Sequence, residues 1–482
     1  MNYKMVRFAL GRIILINGLL MLPSAAIAII YGEGWQGLYP FLLPVFLCVV
    51  VGVSLSAKKP STPDFFMREG FVVVGLSWLL ISAVGALPFV ISGSIPSFLD
   101  AFFEAVSGFT TTGASILSQP ELLSHSQLFW RSFTHLIGGM GVLVFMLAVM
   151  PRIESDNVYI MKAEVPGPIF GKLHAKVRST ARLLYAIYLG MTLFLIILLI
   201  GGGLSIFDSM VHAFGAAGTG GFGIKSNSIA FYNSSYVYYM LAFGMLAFGV
   251  NFNLYYALLG KKFKEVFTSE ELRWYLGFVF SALIMIIINT RHLYENFLIQ
   301  LREVFFTVVS IITTTGYTVT DYDRWPLFSH IILLCLMFIG GMAGSTAGGL
   351  KVSRVTIYIK SSLAELRTSL NPNRRVPLTF EGKALDLTLK TQVNNYLSIY
   401  LLSFVILLVI TSIHAPNFVS AFSSVAATLN NIGPGLDVVG PAGSYESLSV
   451  LSKIALSMGM IMGRLEIIPI LVLLSPRTWR RT

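Results

Sequence analysis

The chain of 482 residues is 55% hydrophobic and only 12% charged, with a mean hydropathy of +0.75. A soluble domain carries roughly 25% charged residues, so water is not the main solvent of this chain. A net charge of +11 raises the question of nucleic acid, but the charge gathers on one side of a membrane, which argues against that partner.

A bilayer core needs about 20 apolar residues per helical span. Hydrophobic stretches fall near 8–30, 39–56, 70–93, 127–150, 181–203, 235–259, 273–290, 327–339, 395–413 and 449–475, ten in all, with the eighth interrupted. The first begins with Lys4, Arg7 and Arg12 and contains Ala26-Ile27-Ala28, features of a cleavable signal, yet a second stretch follows at once and the chain continues as membrane. Cys48 and Cys335, the only cysteines, both lie in apolar runs. They are expected to be buried packing residues, which excludes a disulfide framework and a cysteine metal site.

Basic residues cluster after every second stretch: Lys58, Lys59 and Arg68; Lys162, Lys172, Lys176, Arg178 and Arg182; Lys261, Lys262 and Lys264; Arg354, Lys360, Arg367, Arg374, Arg375 and Lys383; and Arg477, Arg480 and Arg481. The positive-inside rule makes these loops cytoplasmic. Segments 94–126 and 414–447 carry no Lys or Arg, and 204–231 carries only Lys225, so these face outward, as 291–326 does less cleanly. Both termini then lie in the cytoplasm.

The outer segments repeat. Aligning SGFTTTGAS (107–115), GAAGTGGFG (215–223), SIITTTGYT (310–318) and AATLNNIGPG (426–435) on Gly113, Gly221, Gly316 and Gly433 brings small residues into register six positions upstream: Ser107, Gly215, Ser310 and Ala427. Thirteen upstream stand Asp100, Asp208, Glu303 and Ser420, residues suited to a helix start. About ten mainly apolar residues follow each, too few to cross a bilayer, so each helix must enter and return. Non-helical backbone at membrane depth is tolerated only where protein buries it or where it lines a wet cavity. Each repeat therefore reads as span, half-helix, glycine-containing loop, span, with two leading spans completing the ten. The fold class expected is an all-α polytopic membrane protein with four pseudo-symmetric repeats around one pore. The units are 1–60 for the leading spans, then 61–155, 156–262, 263–360 and 361–482.

A half-helix pointing its negative C-terminal end inward, followed by a loop whose carbonyls ring an axis, can dehydrate a potassium ion. Thr110-Thr111-Thr112-Gly113 and Thr313-Thr314-Thr315-Gly316-Tyr317 resemble a potassium-channel filter; Thr219-Gly220-Gly221-Phe222 and Asn430-Asn431-Ile432-Gly433-Pro434 are degenerate versions. The plainer reading of any one copy is an ordinary interhelical turn. Four copies in register on one side favour the filter.

The sequence resembles the TrkH branch of the Trk/Ktr/HKT potassium transporter superfamily along almost its whole length. The pieces that carry the resemblance are DAFFEAVSGFTTTGAS, AEVPGP at 163–168, IGGMAGSTAGGLKVSR at 339–354, AATLNNIGPGL at 426–436 and GRLEI at 463–467. The resemblance implies one filter glycine per repeat, at Gly113, Gly221, Gly316 and Gly433. It implies ion ligands from Thr111, Thr112, Gly220, Thr314, Thr315, Asn431 and Ile432. It also implies a homodimer in a bacterial inner membrane, surrounded by membrane lipid and bound to a cytosolic TrkA-like nucleotide-binding ring. Potassium is then the transported substrate, no organic cofactor is expected, and the chain is not an enzyme. Gly218 and Thr219 depart from the pattern where larger or hydroxyl-bearing residues are expected, a looser loop.

Gly340, Gly341, Gly344, Gly348 and Gly349, with Ser345 and Thr346 among them, disfavour a continuous helix by about 5 kcal/mol at roughly 1 kcal/mol per interior glycine. Two readings stand: a glycine-rich face for close helix packing, as Gly138, Gly139 and Gly141 also suggest, or, by resemblance, a mobile intramembrane gate loop under the filter. Arg464 lies within the last span, where a charge faces a cavity or a partner. By resemblance it projects into the pore as a barrier to cations; the simpler reading is an ion pair with Glu466 or contact with gate-loop carbonyls. His135 and His212 read as packing or hydrogen-bonding residues. Asp100, Asp208 and Glu303 read as helix caps first and cation-attracting charges second. Arg374 and Arg375 read as a solvated cluster, within a segment, 355–392, suited to a cytoplasmic partner. A secondary transporter of another small solute would need two inverted repeats with intramembrane acids, and an intramembrane enzyme would need a buried catalytic constellation; neither pattern is found.

Overall fold

The computed structural model describes residues 1–58, 67–141, 177–371 and 377–479. The end of the fourth stretch (142–150), the 163–168 motif, Lys59, Lys162, Lys172, Lys176, Arg374, Arg375, Arg480 and Arg481 lie outside these residues. Among the described residues the fold is helical apart from one small hairpin, in which Thr379–Phe380 pairs with Lys383–Ala384. The two residues between its strands, Glu381 and Gly382, both take positive φ, as a tight two-residue turn requires.

Helices Tyr3–Leu19 and Leu22–Ile30 form one interrupted span, and Gly34–Ser56 packs antiparallel beside it. Four helix–helix–loop–helix units follow. Their long outer helices are Met67–Ile91, Val177–Gly201, Glu270–Thr290 and Leu387–Ser412. Large apolar side chains such as Phe194, Ile197, Phe280, Ile284, Ile288, Leu402 and Val409 lie exposed along them. That is the surface a hydrocarbon solvent favours, and the protein is a multi-pass membrane protein.

The short helices that enter and return are Phe98–Phe109, Ile206–Gly218, Phe297–Ile312 and Phe418–Leu429. Each packs against the inner helix of its own unit and that of the preceding unit, with the first packing against the last inner helix. Contacts of this kind close a ring. The helix starts differ from expectation. Ser97, Ser205 and Asn417 cap three of these helices, so Asp100, Asp208 and Ser420 sit three residues inside. Asp100 and Asp208 there meet the positive end of the helix dipole. The third helix starts a turn earlier, capped by Asn296, which leaves Glu303 in its interior.

The inner helices are not continuous spans. His125–Gly139 ends at Met140; Ser235–Phe248 bends by 93° into Phe252–Leu259; Leu327–Ile339 gives way to non-helical backbone up to Val352; and Val450–Arg464 is separated from Ile468–Leu474. The stretches 235–259 and 449–475, expected as single spans, are thus broken by local backbone turns, including positive φ at Glu466 and Ile467. Cys48 is buried as expected, but Cys335 is exposed on the outer face of Leu327–Ile339.

Candidate functional site: a ring of four return loops

The backbone of the loops repeats in the register of the glycine alignment. Two residues before each glycine, Thr111, Thr219, Thr314 and Asn431 have φ of 54°, 57°, 56° and 56°. The glycines themselves, Gly113, Gly221, Gly316 and Gly433, have φ of 78°, 71°, 81° and 100°. Left-handed backbone at a β-branched residue costs about 1–3 kcal/mol and persists only where the surroundings impose it. One such surrounding is shared: the residue before each glycine donates its N–H to the small residue six before the glycine. These bonds are Thr112 to Ser107 at 2.8 Å, Gly220 to Gly215 at 2.8 Å, Thr315 to Ser310 at 2.9 Å and Ile432 to Ala427 at 2.8 Å. They turn the chain sharply at the C-terminal end of each short helix.

The loops meet in cyclic order. A methyl group at Gly113 would collide with the carbonyl of Gly220, at Gly221 with that of Thr315, at Gly316 with that of Ile432, and at Gly433 with that of Thr112. Each glycine thus faces the carbonyl that precedes the next loop's glycine, and the fourth returns to the first. All four glycines also line one cavity of about 100 Å³, together with Ser115, Phe222, Thr318 and Pro434. The predicted site residues of all four loops are therefore brought together around one axis.

Side chains hold the ring from behind. Glu104 accepts from Ser115 Oγ and the Ile116 N–H, both at 3.0 Å, and pairs with Arg131 Nε at 2.5 Å. Arg131 also donates to the Gly223 carbonyl at 2.7 Å and lies 3.6 Å over the Phe222 ring, which ties the first loop to the second. Asn431 Nδ2 donates to Thr112 Oγ1 at 2.9 Å, linking the fourth loop to the first, and Tyr445 holds the Gly433 carbonyl at 2.7 Å. Buried charges pair or carry a cost of several kcal/mol, so Glu104 inside an apolar helix and Arg131 inside an apolar span were the available signals for this clamp.

His135 donates from Nδ1 to the Gly108 carbonyl at 2.9 Å and packs on Phe222, a structural role. The acidic residues expected near the mouth engage neighbours: Asp100 pairs with Lys453 at 2.7 Å, Asp208 accepts from Tyr232 at 2.9 Å and Glu303 from Tyr294 at 3.0 Å. Arg131 and Lys225 are the basic side chains at the cavity wall.

Beneath the ring, residues 340–351 fill the break in the second inner helix. Met342 N–H bonds the Gly249 carbonyl, and Phe252 N–H bonds the Gly344 carbonyl, both at 3.0 Å. Such pairing is what buried irregular backbone requires in a membrane. The segment is not a helix face: Gly340, Gly344 and Gly349 have φ of 73°, 73° and 78°, while Gly341, Ser345, Thr346 and Gly348 pack between them. Gly348 sits against the Asn430 carbonyl and donates to Thr314 Oγ1 at 2.7 Å, directly under the third and fourth loops. Glu271, at the start of the third outer helix, accepts from Ala343 N–H within the segment at 2.8 Å and from Ser353 N–H just past it at 3.0 Å. Its own helix start is held by Glu381 of the hairpin, which accepts from Ser269 Oγ and the Glu271 N–H at 2.9 Å each.

Arg464 is buried and reaches across this level. It donates to the carbonyls of Thr346 at 2.7 Å and Gly139 at 2.5 Å, and to that of Gly138. Arg464 thus touches a carbonyl of the 340–351 segment, and Glu466 forms a bidentate pair with Arg354 at 2.6 Å and 3.1 Å.

The chain is matched over residues 41–481 by a family model named TrkH and described as "Cation transport protein". The chain belongs to the TrkH family. It is 35% identical over 488 residues to the Trk system potassium uptake protein TrkH of Escherichia coli K12, and 32% identical over 491 residues to that of Vibrio parahaemolyticus, covering 100% of both chains in each case. The crystal structure of the potassium transporter TrkH from Vibrio parahaemolyticus superposes with a TM-score of 0.89 at 30% identity, again over 100% of both chains.

Proposed function

We propose that this protein takes up potassium across a bacterial inner membrane, through a filter formed by the four return loops. The supporting observation is the cyclic contact of Gly113, Gly221, Gly316 and Gly433 with the carbonyl before the next glycine. Backbone carbonyls ringed on one axis replace a cation's hydration shell. In this reading Thr111, Thr112, Gly220, Thr314, Thr315, Asn431 and Ile432 present those carbonyls. The relatives' names supply the choice of potassium.

Residues 340–351 serve as the gate, since they plug the space under the ring with backbone that is paired but not helical. Arg464 serves as the barrier: a fixed charge at this depth opposes a cation and also latches the gate through Thr346. The units are the leading spans (1–60) and four pore repeats (61–155, 156–262, 263–360 and 361–482). Both termini lie in the cytoplasm, on the side of the basic loops. The protein works as a homodimer within membrane lipid, and a cytosolic TrkA-like nucleotide-binding ring acts on the gate from the 355–392 side. The test is flux of potassium, rubidium, sodium and lithium into liposomes containing the purified protein, beside Gly316→Ser. Potassium and rubidium flux whose selectivity is lost in the variant supports the filter; unaltered selectivity in the variant removes it.

A further inference from the structure

The second loop lacks an anchor that the other three have. Thr110 and Thr313 donate from Oγ1 to Val106 and Val309 carbonyls at 2.7 Å, and Asn430 donates from Nδ2 to the Ala426 carbonyl at 2.8 Å. The equivalent position in the second loop is Gly218, which has no side chain. That loop is also the one with consecutive glycines, Gly220 and Gly221, whose backbone is the freest to move.

A different device stands in its place. Tyr317 follows the glycine of the third loop, but its ring leaves that loop and lies behind the second. Its hydroxyl is 3.1 Å from the His212 carbonyl and 3.4 Å from the Phe222 carbonyl. Gly215 is needed there, because a methyl group would collide with that hydroxyl. His212 Nδ1 faces the same hydroxyl at 3.4 Å, and Nε2 lies 2.9 Å from the Tyr232 hydroxyl.

The direction of the chain follows from counting protons. Tyr232 gives its one hydroxyl proton to Asp208 Oδ2 at 2.9 Å. It must then accept from His212, so the neutral imidazole carries its proton on Nε2 and turns the bare Nδ1 toward Tyr317. Asp208, near the outer end of the second short helix, therefore fixes the tautomer of a buried histidine one turn further in. The bare Nδ1 and the carbonyl of that histidine are then both acceptors for the single proton of the Tyr317 hydroxyl, at 3.4 Å and 3.1 Å, so one donor of the third loop is held by one residue of the second short helix.

We propose that Asp208, Tyr232 and His212 form a one-way hydrogen-bond relay that positions Tyr317 and so sets the spacing of the second and third loops, making them determinants of ion selectivity. The proposal rests on the filter reading above. These are positioning residues: none of their side chains presents a carbonyl of the ring.

The test uses the full chain in liposomes, with potassium and sodium flux measured over a range of concentrations for Tyr232→Phe, Asp208→Asn, Tyr317→Phe and the conservative Asp208→Glu, beside Gly316→Ser. The relay predicts that Tyr232→Phe and Tyr317→Phe lower the potassium-to-sodium ratio about fivefold, the size of one net buried hydrogen bond. It predicts that maximal potassium flux changes less than the ratio, and that Asp208→Glu retains selectivity that Asp208→Asn loses. A ratio unchanged in both phenylalanine variants, with Gly316→Ser still losing selectivity, overturns the relay and leaves the filter standing. Selectivity unchanged in Gly316→Ser as well overturns both.

Discussion

Arg464 and Thr346 are joined by a 2.7 Å hydrogen bond from guanidinium Nη1 to backbone carbonyl, which ties the last inner helix to the segment beneath the ring. A hydrogen bond to a charged group contributes about 1.5–3 kcal/mol, and each 1.4 kcal/mol is a factor of ten. Arg464→Ala removes that latch and the charge together, and is expected to raise potassium flux about tenfold or more in liposomes. Arg464→Lys keeps the charge but loses the planar fork that reaches Thr346 and Gly139, so an intermediate rise is expected. Flux in Arg464→Ala equal to the parent's removes the barrier role.

Glu271, at the start of the third outer helix, holds the same segment through the Ala343 and Ser353 N–H groups. Glu271→Ala leaves the Ala343 and Ser353 N–H groups without their acceptor, at about 1–3 kcal/mol each. A lower thermal midpoint and a raised leak are expected, measured by fluorescence unfolding and by flux. Glu271→Gln keeps an acceptor oxygen and is expected to fall between. An alanine variant that unfolds and conducts like the parent shows that the contact does not hold the segment.

Two nearby glycines separate ring geometry from general looseness. Gly221 has positive φ and faces the Thr315 carbonyl, so Gly221→Ala must displace the third loop. A loss of potassium-to-sodium selectivity of about tenfold is expected, the scale of one strained residue. At Gly223 a methyl group would meet the Lys225 carbonyl and Ser228 Cα at 3.3 Å, a contact relieved by a shift of a few tenths of an ångström rather than by displacing a loop, and Gly223→Ala is expected to change the ratio less than Gly221→Ala does. Equal effects in the two variants contradict the ring.

Outside the membrane, Asp323 is pushed up to about 6, mainly by burial and further by Asp321 and Asp437, against the Asp437 N–H and His330, which lower it. Asp437 is held below the usual carboxylate range by hydrogen bonds from Ser420 and Asn417. As pH falls through about 6, Asp323 takes up a proton and the outer surface loses one negative charge, while Asp437 stays ionised. The apparent affinity for potassium is expected to weaken over that window, with a flatter profile in Asp323→Asn. Flux kinetics between pH 5 and 8 decide it, and identical profiles for the two proteins assign the charge no role.

The ring was legible because its signal is repeated: one glycine, one small residue six before it, and a short apolar helix recur four times. The positions of the helix caps were not, because Asp100 and Asp208 are as suitable a start as Ser97 and Ser205, and only the path of the chain chooses between them. The breaks at Gly249 and at Glu466–Ile467 leave no mark in the sequence pattern because each lies inside a stretch hydrophobic enough to read as one span. Glu104 and Arg131 stand as isolated charges in apolar helices and Glu271 in a charged helix start, but their partners lie 27, 92 and up to 82 residues away, beyond what local patterning relates. Cys335 read as buried because apolar surroundings in sequence do not distinguish a protein core from lipid.

The central claim is that four loops of one chain form a potassium-selective ring. Cation flux into liposomes holding the purified protein, with potassium, rubidium, sodium and lithium compared on one preparation, tests it most directly. The account predicts that potassium and rubidium pass well ahead of sodium and lithium, and that Gly316→Ser, which drives a side chain into the Ile432 carbonyl, brings the four together. No cation flux at all, even in Arg464→Ala, contradicts the account.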